Sequence, residues 1–442
     1  MSGTGIGFIM FGILMALLVV RIPIGLSMFM VGAGGYWYLV GDTLPLLNSL
    51  KNLAYARLSN YDLVVIPLFL LMGQFATHGG LSKALFRFVS AFLGHRKGGV
   101  AIAAIGACAG FGAICGSSLA TAATMGQVAL PELRRHGYSG ALATGALAAG
   151  GTLGIMIPPS VPLVIYAILT QESIGKLFMA AVLPGIIAML GYMIVIRIMV
   201  TLKPESGPAG PRVPWGARLK ALLQVAPVLA VFVVVIVGIY GGWANPTEAA
   251  AIGAAACGVL AVTTGGMRLP GLIASVLGTA QATAMIFLVL LGADMLNTAL
   301  ALSQMPAELA NWVKASQLSP MFVMLLILLI YVLLGCVMDS LAMILLTIPI
   351  FYPVVMGLDF YGMTSTDKSI WFGILALMVV EIGLVHPPVG MNVYIINRLA
   401  KDVPLTETFK GVIPFLASDF IRIGLLLAFP AISLVLVRTF QP

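Results

Sequence analysis

Charge is what this chain has least of. Only 9% of its 442 residues are Asp, Glu, Lys or Arg, where a soluble domain carries about 25%. Hydrophobic residues make up 60%, and the mean hydropathy is +1.09. Water-soluble packing cannot hide that much apolar surface, so a globular soluble protein is excluded and many membrane spans are expected. Alternating polar and apolar strands are lacking, which excludes an outer-membrane barrel. The four cysteines, Cys108, Cys115, Cys257 and Cys336, lie in apolar segments without metal-ligand spacing, and read as small buried residues. No basic stretch precedes the first apolar run, so no cleaved signal peptide is expected. There is no His-Glu-x-x-His helix, nucleophile–base constellation or Gly-Lys-Ser/Thr phosphate loop. ATP is therefore not expected to be the direct energy source, and an enzymatic reading has little to stand on. The net charge of +8 suggests nucleic acid at first sight. The basic residues are spread over short loops, however, where they report orientation instead.

What is present is an apolar chain interrupted twice in the same way. The sequence reads Gly112-Ala-Ile-Cys-Gly-Ser-Ser-Leu-Ala-Thr121 and later Gly335-Cys-Val-Met-Asp-Ser-Leu-Ala-Met343, so that Ser118-Leu119-Ala120 aligns with Ser340-Leu341-Ala342. Each is followed by a second interruption, Gly154-Ile-Met-Ile-Pro-Pro159 and Gly383-Leu-Val-His-Pro-Pro388, and then by a tyrosine, Tyr166 and Tyr394. Proline removes a backbone donor and clashes with the preceding turn, so both proline pairs break helices. Interrupted helices at corresponding positions of two halves point to the ion and substrate site of a secondary transporter.

The expected fold is an all-α polytopic membrane protein with about 10–11 transmembrane helices and two re-entrant helical hairpins. Its first half, 1–202, holds an interfacial arm over 43–60, a helix over 62–77, a surface helix over 80–95, a hairpin over about 99–132 and a broken helix over about 139–170. A Pro/Gly-rich linker, 203–220, follows. The second half, 221–442, repeats the order: helix 272–300 matches helix 62–77 with Gly73 opposite Gly292, a hairpin spans about 320–356, a broken helix about 370–400, and a last helix 412–437. Arg96-Lys97 and Arg134-Arg135 flank the first hairpin, which puts both its ends on one side. With the N-terminus outside, sixteen Lys and Arg fall on cytoplasmic segments and six outside; this asymmetry favours that orientation. The halves are then inverted repeats.

The chain resembles the large membrane subunit of tripartite ATP-independent periplasmic (TRAP) transporters. Carrying the resemblance are Gly116-Ser117-Ser118 with Ala120-Thr121-Ala122, Ile157-Pro158-Pro159-Ser160 with Tyr166, Met338-Asp339-Ser340, and His386-Pro387-Pro388 with Gly390 and Asn392. It covers essentially the whole chain. The resemblance implies a sodium-driven importer of organic acids in the bacterial inner membrane, with no cofactor beyond sodium, that works by an elevator movement. It also implies two partners, a small four-helix membrane subunit and a periplasmic substrate-binding protein. A stand-alone sodium/dicarboxylate symporter of similar architecture is the alternative; a lipid-modifying membrane enzyme is a third.

Sodium is a hard cation that takes oxygen ligands, and interrupted helices offer free carbonyls and hydroxyls for it. One sodium/substrate site is expected at Gly116, Ser117, Ser118 and Thr121 with the backbone around Gly154 and Pro158. The second is expected at Asp339 and Ser340 with the backbone around Gly383 and Pro387. Sodium itself is assigned to Ser117, Ser118, Asp339 and Ser340. Asp339 stands where the first repeat has serine, so the second site carries a formal negative charge. Small residues such as Ser117 and Ser118 also serve close helix packing. For Asp294 and Glu381 a gate, a packing hydrogen bond and a proton site all stand open. His386 is a structural histidine or a proton relay.

Overall fold

The computed structural model describes residues 3–336 and 338–440. Val337, in the second hairpin motif, and the two residues at each chain end lie outside the described residues. Helix is the only regular structure among them. That is the expected outcome in hydrocarbon, where a helix satisfies its backbone internally.

The first half comprises α1 (Gly3–Val19), α2 (Ile24–Val40), α3 (Thr43–Leu58), α4 (Val65–His78), α5 (Leu81–Leu93), α6 (Gly99–Cys115), α7 (Ser118–Arg135), α8 (Gly140–Met156), α9 (Val161–Thr170) and α10 (Ile174–Leu202). The second half follows with α11 (Trp215–Tyr240), α12 (Pro246–Thr263), α13 (Leu269–Leu302), α14 (Met305–Ala315), α15 (Pro320–Gly335), α16 (Ser340–Met356), α17 (Ser365–Gly383), α18 (Met391–Leu399), α19 (Leu405–Ala428) and α20 (Ala431–Phe440). Helices α3, α6–α7, α8–α9, α15–α16 and α17–α18 cover the stretches expected as arm, hairpins and broken helices. Among the described residues, seven helices are long and apolar enough to cross a membrane, counting α8–α9 as one. The expected count of 10–11 is reached only by adding shorter apolar elements such as α1 and α2, each 17 residues.

One expectation is corrected. The last helix is not continuous over 412–437: it begins at Leu405 and stops at Ala428, before Phe429-Pro430, because proline cannot supply the donor that would carry the helix through. Gly73 and Gly292, matched in register, also meet different neighbours. Gly73 lies against Cys115 at the end of α6, whereas Gly292 lies against the Gly25 carbonyl of α2.

The helices form two bodies. In one, α2 packs along α13, α12 along α4, and α11 on α12. In the other, the hairpins and broken helices pack with α10, α19 and α20. The bodies meet where α4 touches α6 and α13 touches α16, and they are bridged by α5, which packs on both α6 and α11, and by α14, which packs on both α16 and α1. Both ends of the first hairpin sit against the linker: Gly98 N–H donates to the Gly207 carbonyl (2.9 Å) and Ser139 N–H to the Ser206 carbonyl (3.0 Å). The foot of the second hairpin sits elsewhere, with Pro349 and Pro353 beside Arg57 of α3 and Glu172 of the α9–α10 turn. Since α8–α9 runs from Ser139 to that turn, the feet of the two hairpins lie at opposite ends of α8–α9.

Lipid is as apolar as leucine, so membrane helices gain their association from close packing of small residues. The hairpins show this in matched form. A Cβ on Gly112 of α6 would fall 2.6 Å from the Gly154 Cα of α8, and one on Gly335 of α15 would fall 2.8 Å from the Gly383 Cα of α17. Each hairpin thus crosses its broken helix backbone on backbone. Gly112→Ala is expected to cost about 1–3 kcal/mol of stability by overpacking. Gly424→Ala, where a Cβ meets nothing within 4 Å, is the control and is expected to be neutral or slightly stabilising. Thermal denaturation of the purified variants in detergent measures both.

Candidate functional site

The residues assigned to the first site come together at four helix ends. α6 stops at Cys115 because Gly116 takes a left-handed conformation, φ +63°, which costs glycine nothing. A Cβ there would fall 2.9 Å from the Pro159 carbonyl, so Gly116 and the proline break are in direct contact. Ser117 is the N-cap of α7, its hydroxyl accepting from Ala120 N–H at 3.4 Å. Gly154 lies against the Ser117 carbonyl and the Thr121 hydroxyl: a Cβ would fall 2.6 and 2.4 Å from them. α8 ends at Met156, and Pro158–Pro159 is cis. α9 then starts after Ser160.

The cluster holds more buried oxygen than the protein itself satisfies. The Thr121 and Ser160 hydroxyls and the Asn392 amide oxygen are buried without hydrogen-bond partners. The thiol of Cys115, a weak donor, lies beside the Thr121 hydroxyl. Buried polar atoms are nearly always paired, so three orphaned oxygens around one helix crossing mark a place built for something else. A hard cation held by neutral oxygens fits this donor set. No group of three or more His, Cys, Asp or Glu that could hold a metal occurs among the described residues.

Asn392 comes from the second broken helix. Its amide N–H₂ donates to the Ser118 hydroxyl (2.7 Å) and to the Ala148 carbonyl (3.2 Å). Neither Asn392 nor Ser160 is among the site residues expected from the sequence. A polar side chain five residues past a proline break gives no sign of crossing to the other repeat.

The second cluster repeats the plan. Asp339 is the N-cap of α16, and its carboxylate accepts from Ala342 N–H at 3.1 Å. Ser117 and Asp339 therefore do the same local work 222 residues apart. Ser340 opens α16 beside it, and Gly383 lies on Gly335. Pro387–Pro388 is cis, and the Cys336 thiol donates to the Pro387 carbonyl at 3.4 Å. His386 Nδ1 lies beside the Pro387 carbonyl and 3.5 Å from the Cys336 sulfur. The two breaks differ in depth: Pro158 and Pro159 are buried, whereas Pro388 is exposed. The tyrosines also differ. Tyr166 is buried and donates to the Ser369 carbonyl at 2.6 Å, while Tyr394 is 40% exposed.

Glu381 and Asp294 turn out to be paired. Glu381 accepts from Thr152 (2.6 Å) and from Arg422 (2.9 Å). The same Arg422 nitrogen donates to Asp419 (2.8 Å), which accepts from Tyr192 (3.0 Å). Thr152 and Glu381 each lie two residues before the glycine of their break, so this bond joins the two broken helices at matching positions. The side chains of Arg422, Glu381 and Asp419 are 2%, 0% and 1% exposed. Asp294 of α13 forms a two-pronged ion pair with Arg57 of the arm. That pair lines a cavity of about 940 Å³ with Asn60, Glu172, Asn297 and Tyr352. Burial raises the Glu172 carboxyl above its usual range, opposed by Ser369 and Lys176. Sequence separation of more than 200 residues hides the Arg57 and Thr152 pairings from a linear reading.

An all-helical, multi-spanning fold with paired helix breaks and buried oxygens between them defines a membrane transporter. Comparison with known proteins gives the family. The family model described as "Tripartite ATP-independent periplasmic transporter, DctM component" matches residues 11–432, and the chain belongs to that family as its large permease component. It is 35% identical over 393 residues to the C4-dicarboxylate TRAP transporter large permease protein DctM of Pseudomonas aeruginosa, covering 88% of this chain and 90% of that one. It is 30% identical to the sialic acid TRAP transporter large permease protein SiaM of Vibrio cholerae, covering 96% and 97%. It is also similar to the isethionate TRAP transporter permease protein DctMQ of Oleidesulfovibrio alaskensis, at 30% identity over 92% of this chain and 63% of that protein. Among solved structures, the Alcanivorax borkumensis YdaH transporter shares the fold, with a TM-score of 0.63 over 88% of this chain at 14% identity.

Removing one member of a buried ion network leaves the others uncompensated. Arg422→Met is expected to cost about 3–5 kcal/mol, and adding Glu381→Gln to it is expected to restore part of the loss. Melting temperatures of the single and double variants check the sign of that coupling.

Proposed function

We propose that this chain is the sodium-coupled translocation path for a small organic anion, a C4-dicarboxylate, sugar acid or other carboxylate. In this reading a periplasmic binding protein delivers the substrate, a small four-helix membrane subunit assembles with the chain, and the N-terminus faces the periplasm. The observation that carries the proposal is the set of orphaned oxygens of Thr121, Ser160 and Asn392 at the Gly112–Gly154 crossing. Around it, helix C-termini present carbonyls that suit a cation, and helix N-termini at Ser118 and Ser340 suit a carboxylate. Ser117, Ser118 and Thr121 would hold sodium at the first cluster with the backbone at Gly116, Gly154 and Pro158. Asp339 and Ser340 would hold it at the second with the backbone at Gly383 and Pro387. The names of the relatives, which include C4-dicarboxylate, sialic acid and ectoine transporters, support the substrate range.

Division into two bodies supports an elevator movement, with the hairpin-bearing body sliding on the other. The feet of the two hairpins lying at opposite ends of α8–α9 support inverted repeats over 1–202 and 221–442. The linker lying with the feet of the first hairpin, near Arg96, Lys97, Arg134 and Arg135, supports a cytoplasmic position for that face.

Uptake into proteoliposomes holding this chain with its small subunit and a matched binding protein tests the proposal. Uptake is expected to require both the binding protein and an inward sodium gradient. Sodium-independent uptake would remove the coupling ion, and uptake without the binding protein would favour the stand-alone symporter. Asparagine caps helices as well as aspartate, so Asp339→Asn is expected to fold normally. Its sodium-driven uptake is nevertheless expected to fall about tenfold or more, the worth of one hydrogen bond or contact to a charge. Unchanged uptake by that variant would contradict the role of Asp339.

A further inference from the structure

A groove of about 630 Å³ opens between α5, α7 and α11, and three cations line it: Lys83 and Arg87 of α5, and Lys220 of α11. Lys83 and Arg87 are four residues apart and share a helix face. All three side chains are exposed, and none of them takes part in an ion pair among the described residues. The groove's single acid, Glu132, already faces Arg135 (3.8 Å) and His136 (4.0 Å). Three unpaired cations against one engaged carboxylate leave the groove with a net charge of +2. Ser90, Gln127 and Gln224 add hydrogen-bonding groups, and Phe86, Val128 and Ala221 supply apolar walls.

Its position suggests the ligand. Lys220 lies in the second turn of α11, a helix apolar enough to span a membrane. Leu219 and Leu223 beside it are 58% and 66% exposed, and Trp215 at the helix start is 75% exposed. Exposed leucines on a spanning helix face acyl chains, and a tryptophan at its end marks the headgroup level. Arg218 is stacked over Trp215 (4.9 Å) and Phe92 (5.7 Å). Its Nε is buried without a partner, adding an unused donor next to the groove. The groove also abuts α7, whose last residues lead to the basic loop facing the linker.

We infer that this groove binds the headgroup of an anionic phospholipid. The phosphodiester would sit on Lys83, Arg87 and Lys220, and the acyl chains would lie along Leu219 and Leu223. Basic pockets between membrane helices at the cytoplasmic surface are suited to such headgroups. The lipid would touch α7, which belongs to the hairpin-bearing body, and α11, which belongs to the other. This inference requires only the membrane placement of α11 and stands apart from the sodium coupling proposed above.

The test is native mass spectrometry of the large chain purified with its small subunit and exchanged into equal phosphatidylglycerol and phosphatidylcholine. Phosphatidylglycerol is expected to be retained preferentially. Lys83→Gln/Arg87→Gln/Lys220→Gln is expected to lower that retention roughly a hundredfold, about fivefold for each basic residue. Lys203→Gln/Arg398→Gln/Lys401→Gln, with the same charge change away from the groove, is expected to keep it. Equal retention of the two lipids, or equal loss in both triple variants, would overturn the inference. Displacement of the lipid by millimolar inorganic phosphate would also overturn it, since the site would then serve a free anion. If the groove variant fails to assemble, melting of the unaltered complex decides. Phosphatidylglycerol is expected to raise the melting temperature above the phosphatidylcholine value, and an equal temperature in both lipids would contradict the site.

Discussion

A peptide N–H or C=O left unpaired in hydrocarbon costs several kcal/mol, and this chain interrupts its apolar helices at Gly116, Pro158–Pro159, Asp339 and Pro387–Pro388. That cost governs the rest of the structure. Each break has to be enclosed by protein or open to water, and the enclosure is built from glycine. Gly112 on Gly154 and Gly335 on Gly383 bring backbones into contact; the first break is buried with its hairpin tip, while the second stays open at Pro388. Ser117 and Asp339 cap the helices that leave the tips, taking up donors that the broken ladder cannot satisfy. What the enclosure does not satisfy is the acceptor side. The oxygens of Thr121, Ser160 and Asn392 remain, and a bound cation is the natural partner for an excess of buried oxygen.

The two copies of this plan have diverged in charge. At the tips, serine in one repeat corresponds to aspartate in the other. Before the breaks, Thr152 corresponds to Glu381, and the two are hydrogen-bonded to one another. Glu381 could not sit at 0% side-chain exposure alone; Arg422 accompanies it, and Asp419 and Tyr192 complete the network. Such a network is weak evidence for stability, because hydrophobic replacements often do as well. Its placement argues for a positioning role: it fixes two broken helices relative to each other at the residues leading into both clusters.

Much of this was legible in the sequence because membrane helices are written in composition. Low charge, apolar runs and the Gly/Ser/Pro interruptions located the arm, hairpins and broken helices, and the duplication of Ser118-Leu119-Ala120 in Ser340-Leu341-Ala342 located the tips. The caps at Ser117 and Asp339 follow from side-chain type at a helix start. Pairings across space were not legible. Nothing adjacent in sequence links Arg57 to Asp294, Thr152 to Glu381 or Asn392 to Ser118, since each joins segments more than 200 residues apart. Gly73 and Gly292, and Tyr166 and Tyr394, meet different surroundings for a related reason: sequence register carries no information on which neighbour a residue meets.

The most direct test of the central claim is a comparison of melting temperature in sodium chloride and choline chloride for the unaltered complex and for Thr121→Val. A ligand that binds only the folded state stabilises it by mass action, so the unaltered complex should melt higher in sodium. Replacing an unpaired buried hydroxyl with a methyl of the same shape removes a desolvation penalty. Thr121→Val should therefore match or exceed the unaltered complex in choline yet gain little from sodium. If both proteins gain equally from sodium, the oxygens at the Gly112–Gly154 crossing do not hold the ion, and the account of the breaks as a cation site is wrong.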